Sequence, residues 1–151
     1  MGDLKLESSV FQHETEMPRK YGYKEDNVNP PLMIYNVPEG AKSLALVMDD
    51  PDAKEPAGKI WDHWVVWNMD PERKVISEDI DFEEAVEGKN DYGEIGYGGP
   101  NPPDKMHTYR FKLYALDTKL DLAEGATKSQ LRKAMKGHLL DKTLLKGKYE
   151  P

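Results

Sequence analysis

The run Ser43-Leu44-Ala45-Leu46-Val47-Met48 is apolar at every position after the first and stops abruptly at Asp49-Asp50-Pro51. An apolar run of that length, bounded by turn residues, predicts a buried strand. Trp61 to Met69 is rich in Trp and Val and ends at Asp70-Pro71, which predicts a second. From Tyr109 to Leu116 the pattern first alternates, placing Tyr109, Phe111 and Leu113 on one face of a third strand. Leu32 to Val37 and Thr143 to Tyr149 carry weaker versions of the same signal. Late in the chain the period changes. Leu131, Ala134, Met135, His138 and Leu139 fall on one helical face, and Thr127 with Gln130 resembles a capping box. A helix is therefore predicted from about Lys128 to Leu140, weakened but not ended by Gly137. A short acidic helix or turn is expected over Phe82 to Glu87.

These elements predict a mainly β sandwich with one good late helix. The 12 Gly and 11 Pro cluster in Asn29 to Gly58 and Gly88 to Pro103, the punctuation of a loop-rich β protein. With 151 residues, no internal repeat and no low-complexity linker, residues 1–151 read as a single domain.

Composition narrows the function. The chain has no cysteine, which excludes disulfides and thiolate metal sites. Its 21 Lys+Arg against 28 Asp+Glu leave a net charge of −7, which repels polyphosphates and anionic lipid head groups at long range. A nucleic-acid or membrane-surface role needs a local basic patch. The sequence displays none of the usual size, only short stretches such as Lys146-Gly147-Lys148, so no nucleic-acid partner is expected. The start, Met1-Gly2-Asp3-Leu4-Lys5-Leu6, lacks the apolar core of a signal peptide and has Leu6 where a myristoylation signal needs Ser or Thr. No stretch has the length of a transmembrane segment, and a cytoplasmic location is expected.

Three elements hold the polar groups able to do chemistry. Asp49-Asp50-Pro51-Asp52-Ala53 follows an apolar strand; carboxylates there can ligate a metal, relay protons or, most commonly, cap the next turn. His63 lies in Trp61-Asp62-His63-Trp64, where alternation puts Trp61, His63 and Val65 on one face and Asp62 and Trp64 on the other. His107 shares a face with Tyr109. Two such strands side by side would offer two imidazoles and a phenol to one pocket. The third element, Asn90 to Pro103, is rich in Gly and Pro. Its glycines let backbone amides approach a ligand, and its Pro-Pro ending reads as a rigid wall. It is neither a P-loop nor a dinucleotide fingerprint.

Taken in order, these pieces resemble the phosphatidylethanolamine-binding family, also described as Raf-kinase-inhibitor-like, and especially its compact bacterial and archaeal branch. Asn27-Val28-Asn29-Pro30-Pro31-Leu32 looks like the family's entry motif, and Val37 to Leu46 leads into its Asp-Pro-Asp-Ala signature at Asp50 to Ala53. His63, the Asn90 to Pro103 loop, the His-x-Tyr start at His107 and the late Gly-His-Leu-Leu complete the order. There are departures. Lys54-Glu55 intervene before Pro56, Thr108 stands where Arg is usual, and the chain stops at Pro151 without the C-terminal helix of animal members.

The resemblance implies an antiparallel β-sandwich with one or two peripheral helices. It also implies a pocket of Asp50, Asp52, His63, Gly99, Pro100, Asn101, Pro102, His107 and Tyr109. The ligand implied is a small phosphate-like or carboxylate anion, or a phospholipid head group, held by imidazole, phenol and backbone donors without cofactor or metal. Asp50 and Asp52 are expected to orient His63 and His107 and favour their charged forms, or to share a proton with the anion. Such a proton-coupled trap strengthens below neutrality and weakens in stronger acid. No Gly-x-Ser-x-Gly elbow, no cysteine nucleophile and no His-Glu-x-x-His spacing is present, so the protein is not expected to be an enzyme. The competing role implied is inhibition of a serine protease or kinase. Lys54-Glu55-Pro56-Ala57-Gly58-Lys59 would be the exposed docking loop, although an ordinary solvated turn is the commoner reading.

Overall fold

The computed structural model describes residues 2–151; Met1, where the reading of the N-terminal segment begins, lies outside the described residues. In chain order the elements are β1 (Lys5–Glu7), β2 (Thr15–Glu16), β3 (Leu32–Tyr35), β4 (Ser43–Asp50), α1 (Lys54–Ala57) and β5 (Trp61–Met69). Then follow β6 (Val75–Ile76), β7 (Val86–Glu87), β8 (His107–Leu116), α2 (Lys128–Met135) and β9 (Leu139–Tyr149). They form a three-stranded sheet, ordered β1-β3-β6, and a six-stranded sheet, ordered β2-β9-β8-β4-β5-β7. Pairing is antiparallel except for the two-residue contact of β2 with β9.

The two sheets enclose the main core. Leu6, Leu32, Ile34 and Ile76 from the small sheet meet Leu46, Met48, Trp64, Val66, Phe111 and Leu113 from the large one. On the opposite face of the large sheet, Leu131 and Met135 of α2 pack on Ala45, Val47, Val65 and Trp67. β4 is therefore covered on both sides, with all eight residues buried, which is why its sequence runs apolar instead of alternating. β8 is covered on one face along most of its length and does alternate.

Three boundaries differ from expectation. α2 ends at Met135, and Gly137 takes φ +85°, reversing the chain so that Leu139 and Leu140 open β9. Thr127 and Gln130 do form the capping box. Phe82 to Glu87 contains no helix; it ends in β7, the edge strand beside β5. The basic patch absent from the linear sequence is assembled by the fold. α2 covers β4 and β5 but not β9, and register places Arg110 opposite Lys146 and Tyr114 opposite Lys142 on the open outer face. No helix among the described residues is long and apolar enough to cross a membrane.

Candidate functional site

Asp50 ends β4 and starts the turn that follows. Its Oδ1 accepts the Asp52 N–H at 2.9 Å, capping the 3₁₀ turn Pro51–Ala53. Asp52 Oδ2 in turn accepts the Thr108 N–H at 2.8 Å, tying that turn to the first residues of β8. Asp52 is thus a brace for the strand end rather than a wall of the cavity. Backbone geometry then fixes His107. Its Nδ1 lies 2.6 Å from Asp50 Oδ2 and its Nε2 lies 2.7 Å from Asp104 Oδ1. A carboxylate only accepts, so an imidazole between two ionised carboxylates must carry both protons. Burial opposes that charge, but Asp50 and Asp104 together outweigh it and hold His107 above the ordinary imidazole range. Burial also pushes the Asp50 carboxyl up, against the pull of His107, so the pair retains its shared proton as a unit.

His63 is set by a bulge. Met48 pairs with Trp64 but Asp49 pairs with Asp62, leaving His63 as the extra residue of β5. Alternation correctly puts Trp61 and His63 together, but the bulge sends Val65 to the α2 side and Trp64 into the main core. His63 Nδ1 donates to the Gly98 carbonyl at 2.7 Å, while the Gly98 N–H returns to the His63 carbonyl at 2.8 Å. Burial then pushes the imidazole down to about 4. His63 is neutral near pH 7, with its lone pair on Nε2.

These facts correct two expectations. His63 is not charged by neighbouring carboxylates, and both His107 nitrogens are already committed to protein partners. Neither imidazole supplies the donor to an anion that the residue types suggested. Among the described residues, the buried Tyr109 hydroxyl and the buried Trp61 Nε1 have no hydrogen-bond partner. Burial, reinforced by Asp50, holds the Tyr109 phenol far above its ordinary value, so it remains a donor. Its ring lies edge-on to His63 with centroids 5.1 Å apart.

Asp50, His63, His107, Tyr109, Asn101 and Pro102 line one cavity of about 240 Å³. Sequence reasoning missed Trp61 as a donor, Tyr92 as a wall and Asp104 as the second partner of His107. The face shared by Trp61 and His63 could have flagged Trp61; nothing in the pattern marks Asp104. Gly99 and Pro100 do not line the cavity. The Gly99 N–H donates to Asn27 Oδ1 at 2.7 Å, its carbonyl accepts from the Tyr92 hydroxyl at 2.9 Å, and the Pro100 carbonyl accepts from the Tyr23 N–H at 2.8 Å. They anchor the wall from behind. Among the described residues no group of three His, Asp or Glu side chains is placed to hold a metal ion.

Residues 54–57 form the one-turn helix α1 instead of the expected loop, with Gly58 at φ +79° closing it. Pro56 is tolerated because first-turn N–H groups lack helical partners anyway. Pro56 and Ala57 face the cavity and give it an apolar lip, while Lys54 and Glu55 are exposed. A protease-docking loop presents extended backbone, and this helical turn does not.

The family model described as Phosphatidylethanolamine-binding protein matches residues 7–150. A UPF0098 protein of Methanothermobacter thermautotrophicus is 42% identical, over 97% of this chain and 98% of its own length. One from Pyrococcus abyssi is 44% identical, over 95% of this chain and 83% of its own. Among solved structures, a putative phosphatidylethanolamine-binding protein homolog from Chlamydia trachomatis superposes with a TM-score of 0.94 at 40% identity, covering 100% of this chain and 99% of that one. E. coli YbcL, described as a new member of the mammalian family, superposes at 0.91 with 28% identity and 99% coverage of each chain. These descriptions name no reaction.

Proposed function

The chain belongs to the phosphatidylethanolamine-binding protein family, and from that premise we propose that its cavity is a non-catalytic binding site for the monoanion of a phosphate monoester, free or as a lipid head group. The observation that carries this reading is a pair of buried donors without well-formed partners, Tyr109 Oη and Trp61 Nε1, on two residues that line one small cavity. Leaving such a donor unsatisfied costs about 1–3 kcal/mol, a cost that a bound acceptor removes. The same wall carries acceptors. His63 Nε2 holds a lone pair, and Asp50 is a carboxylate. A ligand that fits must therefore both accept and donate. A phosphate monoester with one proton left does both; its dianion does not, and Asp50 repels it.

This replaces the expectation that histidine charge drives binding. His63 titrates near 4 and His107 is locked between carboxylates, so the pH dependence belongs to the ligand, whose second ionisation lies near 6. Calorimetric titration with methyl phosphate and methyl sulfate from pH 8 to pH 5 tests it. Both probes are monoanions at pH 5, but only the phosphate has a proton to donate. Methyl phosphate is expected to tighten steadily as pH falls through about 6, and methyl sulfate to bind at least about ten-fold more weakly, the worth of one good hydrogen bond. Equal affinity for the two, or no heat from either at millimolar concentration, overturns the reading.

A further inference from the structure

We propose that the open outer face of β8 and β9, together with the exposed edge of α2, docks on an anionic lipid surface. The inference is independent of what the cavity binds, since the cavity opens on the other face of the same sheet. It starts from a segregation of charge. The chain carries a net charge of −7, yet one face gathers cations from three elements. Arg110, Lys112 and Lys128 surround the buried Asp49 carboxylate at 2.7, 3.0 and 3.2 Å, and Lys128 also meets Asp62 at 2.6 Å. Those two carboxylates cannot neutralise three cations. Next to them stand Arg132, Lys133, Lys136, Lys142 and Lys146. None of these five has a carboxylate within 4.0 Å among the described residues. No acidic residue lines the depression between α2 and Lys142.

The buried Asp49 explains how the cluster is organised. By drawing two strand cations and the first helical lysine onto one point beneath the face, it sets the base from which the unpaired cations extend. At physiological salt the Debye length is about 8 Å. Carboxylates well beyond that distance are thus largely screened from a partner on this face, while Asp117, paired with His138, and Glu16, beside Lys148, lie at its border.

What such a face meets is decided by its other side chains. Leu139 and Leu144 lie among the lysines with 46% and 41% of their surface exposed. Leu144 stands opposite Lys112, on the same outward face as Lys142 and Lys146. Exposed leucines gain nothing from a polynucleotide backbone but enter the apolar boundary of a bilayer. The single aromatic of the face, Tyr114, gives no stacking platform for successive bases. Cations spread over a broad face, interrupted by leucine, match a negatively charged membrane surface.

Vesicle co-sedimentation at 0.1 M salt tests the proposal, comparing pure phosphatidylcholine with a mixture containing phosphatidylglycerol. The full-length protein is expected to bind only the anionic vesicles and to be released by high salt. Each cation near such a surface is worth about five-fold in partition. The quadruple variant Arg132→Glu, Lys136→Glu, Lys142→Glu, Lys146→Glu should therefore lose binding by more than a hundred-fold while still unfolding in one cooperative thermal transition, shifted slightly down by the two acidic residues placed at the C-terminal end of α2. Reversing two exposed lysines elsewhere, Lys24→Glu and Lys74→Glu, should leave most of the binding. Absence of binding to anionic vesicles overturns the proposal. So does equal loss in both variants, and so does selective retention of single-stranded RNA or heparin without vesicle binding.

Discussion

His63 and His107 share one cavity in opposite protonation states, and the difference lies in what each ring nitrogen faces. A carbonyl at 2.7 Å fixes a neutral tautomer on His63, whereas carboxylates at 2.6 and 2.7 Å require both protons on His107. The consequence for stability has a definite sign. His63 is depressed to about 4 in the folded chain but titrates near 6.5 when unfolded, so the unfolded state takes up a proton first as pH falls. Stability should fall between pH 6.5 and pH 4 by on the order of 3 kcal/mol and level off below that from this group. His107 acts in the opposite sense. Its folded value is raised, so its contribution is complete below about 6.5 and fades as pH rises through the folded value. Urea unfolding at pH 7 and pH 4.5, with imidazole resonances followed by NMR, checks both. A His63 resonance that titrates near 6.5 contradicts the assignment.

At the scale of elements, the strands were legible because burial imposes pattern: the unbroken run of β4 and the alternation of β8 follow from two covered faces and one. Tertiary effects were not legible. The bulge at His63 is a mismatch of register between β4 and β5, visible only once the strands are paired. The end of α2 at Met135 depends on Gly137 adopting a left-handed conformation that its sequence neighbours permit but do not demand. The site was legible in part, since His63, His107 and Tyr109 could be placed by phase and Asp50 by the resemblance of its Asp-Pro-Asp-Ala run. Asp104 could not, because its loop has no period. The glycine-rich wall shows the same division. Gly99 looked like a point of approach for a ligand, but a Cβ there would collide with the Tyr21 carbonyl oxygen and the Gly22 backbone. Its missing side chain lets the loop pack against the chain beside Tyr21. Gly99→Ala should therefore cost about 3 kcal/mol of stability, because backbone on the other side cannot yield. A urea midpoint equal to that of the unchanged protein would show that the loop moves freely instead.

For the whole molecule, the large sheet separates two electrostatic environments. One face holds the cavity, where donors and acceptors alternate around a clamped imidazolium; the other carries the surplus of cations around Asp49. The central claim concerns the first face: the proposed function makes Tyr109 a group held for a ligand and not for the fold. Its hydroxyl is buried and makes no well-formed hydrogen bond among the described residues, although the Asp50 carboxylate and the Asn101 backbone lie close to it, so in the empty protein it is poorly satisfied. The most direct measurement is the unfolding free energy of the unchanged protein and of Tyr109→Phe, each with and without methyl phosphate at pH 5.5. Without ligand, the Phe variant should be as stable as the unchanged protein or more so, by up to about 1–3 kcal/mol. Ligand at about one hundred times its dissociation constant should add about 2.7 kcal/mol to the unchanged protein. At the same concentration it should add little to the variant, which has lost a hydrogen bond to a charged group worth about 1.5–3 kcal/mol. A variant that is destabilised when empty and still gains the full increment from ligand would make the hydroxyl a structural group and contradict the account.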